Sequence, residues 1–87
     1  MPRYLSLHTL ACLTRQGAEQ LGKQLEGAGA FKLQRLSVNM TEGKMLVELE
    51  AEGREAIEGW FQQQKFHSDW RLRVECEWKD GKLVPVS

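Results

Sequence analysis

The sequence predicts an α+β fold of the ferredoxin-like type, a β-α-β-β-α-β sandwich with an added C-terminal hairpin strand. Three observations lead to this prediction. Four segments alternate apolar and polar residues with the period of strands, two segments carry apolar residues at helical spacing, and the two kinds follow one another in that order. The 87 residues are enough for one domain, residues 1–87, but few enough that pairing with a second copy would usefully add buried surface.

Residues 3–10 form the first predicted strand, because apolar and polar side chains alternate along them. Leu5 and Leu7 are assigned to the face that the helices cover. The opposite face of the strand is polar and carries three side chains: Tyr4, Ser6 and His8. Thr14 follows as the N-cap of the first helix, since its hydroxyl can accept a hydrogen bond from a backbone N–H of the first turn. This helix has a narrow apolar stripe at steps of three and four residues: Ala18, Leu21, Leu25 and Ala28.

The middle of the chain is predicted as two strands over residues 31–39 and 44–51, joined by a hairpin loop that contains Gly43. The second strand is expected to turn three apolar residues inward: Leu36, Val38 and Met40. The third strand alternates more regularly than any other segment, with an inward set of Met45, Val47, Leu49 and Ala51. A second helix is predicted over residues 54–66, with a wide apolar face made of Ala56, Ile57, Trp60 and Phe61.

The C-terminal segment is predicted as one long strand over residues 70–79, followed by a hairpin strand over residues 82–86. Alternate apolar residues of the long strand are assigned to the covered side of the sheet: Trp70, Leu72, Val74, Cys76 and Trp78. Between the two strands lies Asp80-Gly81, a dipeptide that two-residue hairpin turns favour.

Both helices of a ferredoxin-like fold cover the same side of the sheet, so the other side, the open face, lacks helices. With the assignments above, the open face is polar and carries Tyr4, Ser6, His8, Leu46, Glu48, Glu50, Arg71, Arg73 and Glu75. A carboxylate beside His8 would raise its pKa and fix its tautomer, which suits proton transfer or metal binding. The sequence therefore predicts a ligand-binding set of Tyr4, Ser6, His8, Glu48 and Arg73.

The chain has only two histidines and two cysteines as soft or imidazole metal ligands, and none of them has the close spacing of a structural zinc site. Cys76 is assigned to the core and His67 to the surface. Cys12 lies just after the first strand and before the first helix, where a thiolate would be stabilised. The metal hypothesis therefore names His8 and Cys12 as ligands of a transition-metal ion.

Composition limits the class of partner. Twelve basic and twelve acidic residues cancel, which removes the electrostatic footprint of a nucleic-acid-binding protein. No segment has an apolar run long enough for a membrane span. With two cysteines and no disulfide framework, reduced thiols in the cytoplasm are expected.

Several short motifs resemble a known family. They are Met1-Pro2-Arg3-Tyr4-Leu5 through His8-Thr9, Gly43-Lys44-Met45, and Glu50-Ala51 followed by Arg54-Glu55-Ala56. These residues, within a stretch from 1 to about 75, are similar to small bacterial domains of unknown function with a ferredoxin-like, dimeric α+β-barrel fold, one of which binds nickel. The resemblance implies that the family's strand histidine corresponds to His8. The further histidine and cysteine common in the family have no counterpart in residues 14–28 and 45–49.

Three hypotheses for function remain open at this point. The first is a cytoplasmic homodimer, paired through the sheet face, that binds a small ligand or a metal ion such as nickel at His8. The second is a small monooxygenase-like or isomerase-like enzyme of the dimeric α+β-barrel type, with His8 as acid or base and Tyr4 or Arg73 orienting the substrate. The third is an interaction module without chemistry.

Overall fold

A computed structural model describes residues 1–86 and has the α+β architecture that the sequence predicts. Its helices and strands, in chain order, are β1 (Arg3–Thr9), α1 (Arg15–Glu26), β2 (Lys32–Asn39), β3 (Lys44–Glu50), α2 (Arg54–Gln63), β4 (Trp70–Val74), β5 (Cys76–Lys79) and β6 (Lys82–Pro85). Strands β1 to β4 form one sheet in the order β2-β3-β1-β4, and each neighbouring pair is antiparallel. Strand β1 is therefore central and β4 lies at an edge.

Both helices pack on the same side of the four-stranded sheet, which is its covered face. Leu25 of α1 and Ile57 of α2 belong to one buried cluster with Val47 of β3. The predicted apolar stripes of both helices are confirmed, because two residues of each stripe are buried and the other two pack against the same cluster. The capping prediction is also confirmed: the Gly17 N–H donates to the Thr14 hydroxyl at 3.0 Å.

Helix α2 ends three residues earlier than predicted because Lys65 adopts a left-handed conformation, with φ of 56°. The chain then closes the helix with two hydrogen bonds of the Schellman type. The Phe66 N–H donates to the Phe61 carbonyl at 2.8 Å, and the Lys65 N–H donates to the Gln62 carbonyl at 3.1 Å. Phe66 is thereby turned back into the core instead of continuing the helix.

The prediction of one long C-terminal strand over residues 70–79 is wrong. The strand is interrupted at Glu75, and β5 pairs with β6 in a separate two-stranded sheet. The central strand β1 begins at Arg3, which lies opposite Val74, so β4 has no partner strand beyond that residue. The predicted turn is confirmed, since Asp80 and Gly81 both have positive φ, 53° and 81°, as a type I′ hairpin turn requires.

The prediction of which side chains face the helices is also wrong for β1 and β4, but it is confirmed for β3. Tyr4, Ser6 and His8 lie on the covered face and are buried, since they stand opposite the inward residues of β3. Leu5 and Leu7 lie on the open face. Three β4 residues predicted to be covered are on the open face as well: Trp70, Leu72 and Val74. Alternation defines two sets of side chains per strand, and exchanging the sets moves every side chain to the other face.

Three further residues differ from prediction in burial. Cys76, assigned to the core, is exposed because β5 lies outside the four-stranded sheet. Val38 lies on the covered side but is exposed, because it stands near the end of the edge strand β2. Met40 follows the end of β2 and is exposed too.

Candidate functional site

His8 is the most deeply buried titratable side chain of the covered face, with no exposed surface. One ring nitrogen, Nδ1, lies 2.8 Å from the backbone carbonyl oxygen of His67. The other, Nε2, lies 2.8 Å from the hydroxyl oxygen of Ser6. A carbonyl oxygen can only accept, so Nδ1–H is the donor in the neutral ring, and Nε2 accepts from the Ser6 hydroxyl. Both nitrogens therefore have partners within the chain.

Aromatic rings enclose the His8 imidazole. Phe66 stacks on it with 4.0 Å between ring centroids, and Phe61 contacts it edge-on at 5.2 Å. Burial lowers the pKa of His8 below its ordinary value of 6.5, although the hydrogen bond to the His67 carbonyl and the nearby Asp69 charge both act to raise it. The imidazole is thus neutral and fixes the C-terminal end of α2 to the central strand.

The predicted ligand-binding residues do not lie on one face. Tyr4, Ser6 and His8 share the covered face, and Arg73 stands opposite Tyr4 on the same side. Glu48 stands opposite Leu5, on the open face. The structure thus separates Glu48 from the other four residues and encloses His8, which was predicted to lie on the open face.

The predicted metal pair is similarly divided. Cys12 is exposed in the turn after β1, with a left-handed φ of 55°. His8 is buried behind two phenylalanine rings, and both its nitrogens are already hydrogen-bonded. Within residues 1–86, no group of three or more histidine, cysteine, aspartate or glutamate side chains is arranged to hold a metal ion.

The open face carries an apolar patch, most of whose residues the sequence predicts to lie in the core. Its members lie on the same side of β1, β3 and β4, namely Leu5, Leu7, Leu46, Trp70, Leu72 and Val74. Trp70 and Leu72 are each 42% exposed, and Leu46 is exposed as well. One residue in the sequence indicates this patch. Leu46 is apolar, although it alternates with the inward residues of β3 and so lies on the side that is otherwise polar.

Charged side chains flank this apolar patch, and they stand opposite residues of opposite charge in the same sheet. Glu50 has Arg3 on one side and Lys32 on the other, and Glu48 lies opposite Arg35. Opposite charges on adjacent strands stabilise the sheet modestly and neutralise each other. The open face is therefore apolar at β1 and β4 and electrically balanced toward β2.

The C-terminal hairpin carries an exposed apolar pair of its own. Trp78 and Leu83 stand opposite each other on its two strands and are 71% and 64% exposed. On the other side of the hairpin, Glu77 forms an ion pair with Arg3 at 3.0 Å. A two-stranded hairpin alone is marginally stable in water, so this element gains by packing against another surface.

Comparison with known proteins identifies no relative, so the function is argued from the geometry of the site. No protein-family model matches the chain, and neither a curated protein nor a solved structure matches it significantly. Among the described residues 1–86, neither helix has the length and apolar character needed to cross a membrane.

Proposed function

We propose that this chain is a homodimeric interaction module in which two copies pack their open sheet faces against each other. The observation that carries the proposal is the apolar patch of the open face. Contiguous exposed apolar surface on a small protein usually marks an interaction site. Here it lies on three adjacent strands of a hydrogen-bonded sheet, which is a rigid surface that needs little ordering on binding.

The fold supports this arrangement. The element order, the strand order β2-β3-β1-β4 and the placement of both helices on one side support a ferredoxin-like topology as part of this proposal. A sheet of this kind has one side without helices. We propose that two such sides meet as the layers of a dimeric α+β barrel.

A second copy suits the open face better than a charged partner does. In a two-fold dimer the same patch serves both partners and must complement itself. An apolar patch does so directly, and the flanking charges already face opposite charges in their own sheet. A strongly charged partner would find no matching field there.

The exposed area agrees with this stoichiometry. The chain exposes 6014 Å², whereas a compact monomer of its 10.0 kDa mass exposes about 5200 Å². The excess is about 800 Å², which is the area that each partner buries in an interface of standard size. The open face and the exposed C-terminal hairpin both contribute to this excess, and an interface on the open face would remove part of it.

This proposal is preferred to metal binding and to catalysis at His8. A metal ligand or a general base needs a nitrogen lone pair that can reach the ion or the substrate. The lone pair of His8 accepts from Ser6, and the ring has no exposed surface. The proposal also keeps a cytoplasmic location and a protein rather than nucleic-acid partner, in line with the two free cysteines and the zero net charge.

The test is the mass of the protein in solution, measured by light scattering after size exclusion. The wild-type protein is expected at about twice its 10.0 kDa chain mass. Leu72→Glu places a charge in the apolar patch and is expected to give a folded monomer.

The matched control is Val38→Glu. Val38 is 41% exposed, against 42% for Leu72, but it lies on the other side of the sheet. This variant should remain a dimer. A monomeric wild-type protein, or a Leu72→Glu variant that stays dimeric, would contradict the proposal.

A further inference from the structure

A cleft of about 500 Å³ lies between the C-terminal end of α2 and the edge strand β4. Phe61 and Phe66 lie among its lining residues, together with the polar and charged side chains of Glu58, Gln62, Lys65 and Arg71. This volume is within the range of small-molecule sites in proteins. Arg71 stands opposite Ser6, so it belongs to the covered face of the sheet. The cleft is therefore on the other side of the sheet from the open face.

Arg71 is held in position at this cleft by two contacts. One terminal nitrogen donates to the Ser68 hydroxyl at 2.7 Å, and the other pairs with the Glu58 carboxylate at 3.1 Å. These contacts use two of the five N–H groups of the guanidinium. The side chain is 33% exposed, so its remaining donors can serve a ligand. A fixed guanidinium fork is well suited to a carboxylate.

Lys65 supplies a second cation from an unusual backbone position. It occupies the left-handed residue that closes α2, where glycine is the common choice. A side chain with a Cβ costs about 1 kcal/mol in this conformation. The sequence thus has a lysine, at some cost in stability, at a position that lines the cleft.

Two aromatic rings form the apolar floor of the cleft, where Phe66 is 8% exposed and Phe61, at 2%, supports it from the core. Phe61 and Phe66 meet edge to face with 5.3 Å between centroids, and both contact the His8 ring. Since His8 is fixed by hydrogen bonds to Ser6 and to the His67 carbonyl, the rings have little freedom to move. A pre-organised wall of this kind lowers the entropic cost of binding.

We propose that this cleft binds a small organic monoanion, with its carboxylate on Arg71 and Lys65 and its apolar part against the exposed part of Phe66. The charges support one negative group. Two cations face one carboxylate, Glu58, which leaves one positive charge for the ligand to neutralise. The site does not depend on dimerisation, because it lies on the covered side of the sheet.

The proposal is tested with benzoate as the probe, followed by amide NMR. Benzoate should shift the amide signals of Gln62, Ser68 and Arg71, with a dissociation constant on the order of 1 mM. Benzamide, which has the same ring and shape without the charge, should bind about tenfold more weakly or worse, since a charge-assisted contact is lost.

Two variants separate the site from general electrostatics. Lys65→Gln and Arg71→Gln should each weaken benzoate about tenfold. Lys23→Gln removes an equivalent exposed cation from the last turn of α1 and should leave the affinity unchanged. Because Arg71 also contacts Glu58 and Ser68, the spectrum of its variant must show a folded protein, and Lys65→Gln provides the result if it does not.

Absence of benzoate shifts, equal binding of benzoate and benzamide, or unchanged affinity in Lys65→Gln would each overturn the proposal. The mass measurement on Leu72→Glu is separate, since that substitution is on the open face. A folded Leu72→Glu monomer should still bind benzoate.

Discussion

The two faces of β1 meet opposite conditions in the same sheet. On its covered face, Ser6 and His8 have almost no exposed surface, whereas on its open face Leu5 lies beside Leu72, which is 42% exposed. Polar side chains are stable in the covered layer because each finds a hydrogen-bond partner there. The apolar side chains of the open layer have no such compensation within one chain. Each face is therefore completed differently, the first by its own hydrogen bonds and the second, as proposed, by another copy.

The largest effect is expected where the covered face is broken. His8→Ala should lower the free energy of unfolding by about 3 kcal/mol, because it leaves a cavity between Phe61 and Phe66 and removes the partners of Ser6 and the His67 carbonyl. Urea unfolding followed by tryptophan fluorescence measures this change.

His67→Ala is the matched control for this variant. His67 contributes its backbone carbonyl to the contact, and its own side chain is exposed. Its removal should change the free energy of unfolding by less than about 0.5 kcal/mol. Equal losses in the two variants would show that the buried imidazole is not what stabilises this layer. The same two variants also test the prediction that His8 binds nickel. If it does, the His67→Ala variant should bind nickel and the His8→Ala variant should not.

On the open face the largest effect should appear in association. Trp70→Ala removes a large aromatic side chain from the apolar patch and should weaken dimerisation by about 2 kcal/mol, as for aromatic residues at the centre of interfaces. Analytical ultracentrifugation over a dilution series measures the dissociation constant. Val38→Ala, on the other side of the sheet, should leave it unchanged. A Trp70→Ala dimer as tight as wild type would contradict the assignment of the patch to the interface.

Acid should lower the free energy of unfolding through His8, which is buried in the covered face. Burial lowers the pKa of His8 in the folded protein below 6.5, so the unfolded chain takes up the proton first as pH falls. The contribution of neutral His8 to the free energy of unfolding is therefore present above about pH 6.5. As pH falls from there to the lower pKa of the folded state, the free energy of unfolding decreases by up to about 1.4 kcal/mol per pH unit.

Urea midpoints measured across this pH window test the prediction. His8→Gln should lose the part of the slope that this group causes, whereas His67→Ala should retain it. A wild-type protein whose stability rises on acidification through this window would contradict a buried neutral imidazole.

Local features of the chain are predictable from the sequence, whereas the choice of buried face is not. The element order and both helix stripes follow from local spacing and from a cap three residues away, Thr14 to Gly17. The inward set of β1 is different, because alternation supplies two sets without saying which is buried. The decisive contact joins His8 to a carbonyl 59 residues away, and no local pattern contains it. Leu5 and Leu7 are the more apolar set, and hydrophobicity alone therefore selects the wrong face.

The cleft could not be predicted for a similar reason. Its position depends on the left-handed turn at Lys65, and a lysine is not a residue whose presence signals such a turn. The sequence predicts Arg71 on the open face, because the alternation of its strand does not show which set of side chains is covered. Once β4 is inverted, Arg71 and the end of α2 come together around Glu58.

The smallest effect on stability is expected at Lys65, where one substitution separates the strain of its left-handed backbone from its proposed role in ligand binding. Lys65→Gly should raise the free energy of unfolding by about 0.5–1 kcal/mol, because glycine adopts the left-handed conformation without strain. The same substitution at Lys23, which lies within α1, should lower it by about 1 kcal/mol. If Lys65→Gly is more stable yet loses benzoate binding, the strained residue is retained for the cleft rather than for the fold. A Lys65→Gly variant that is less stable than wild type would mean that the Lys65 side chain itself stabilises the end of α2.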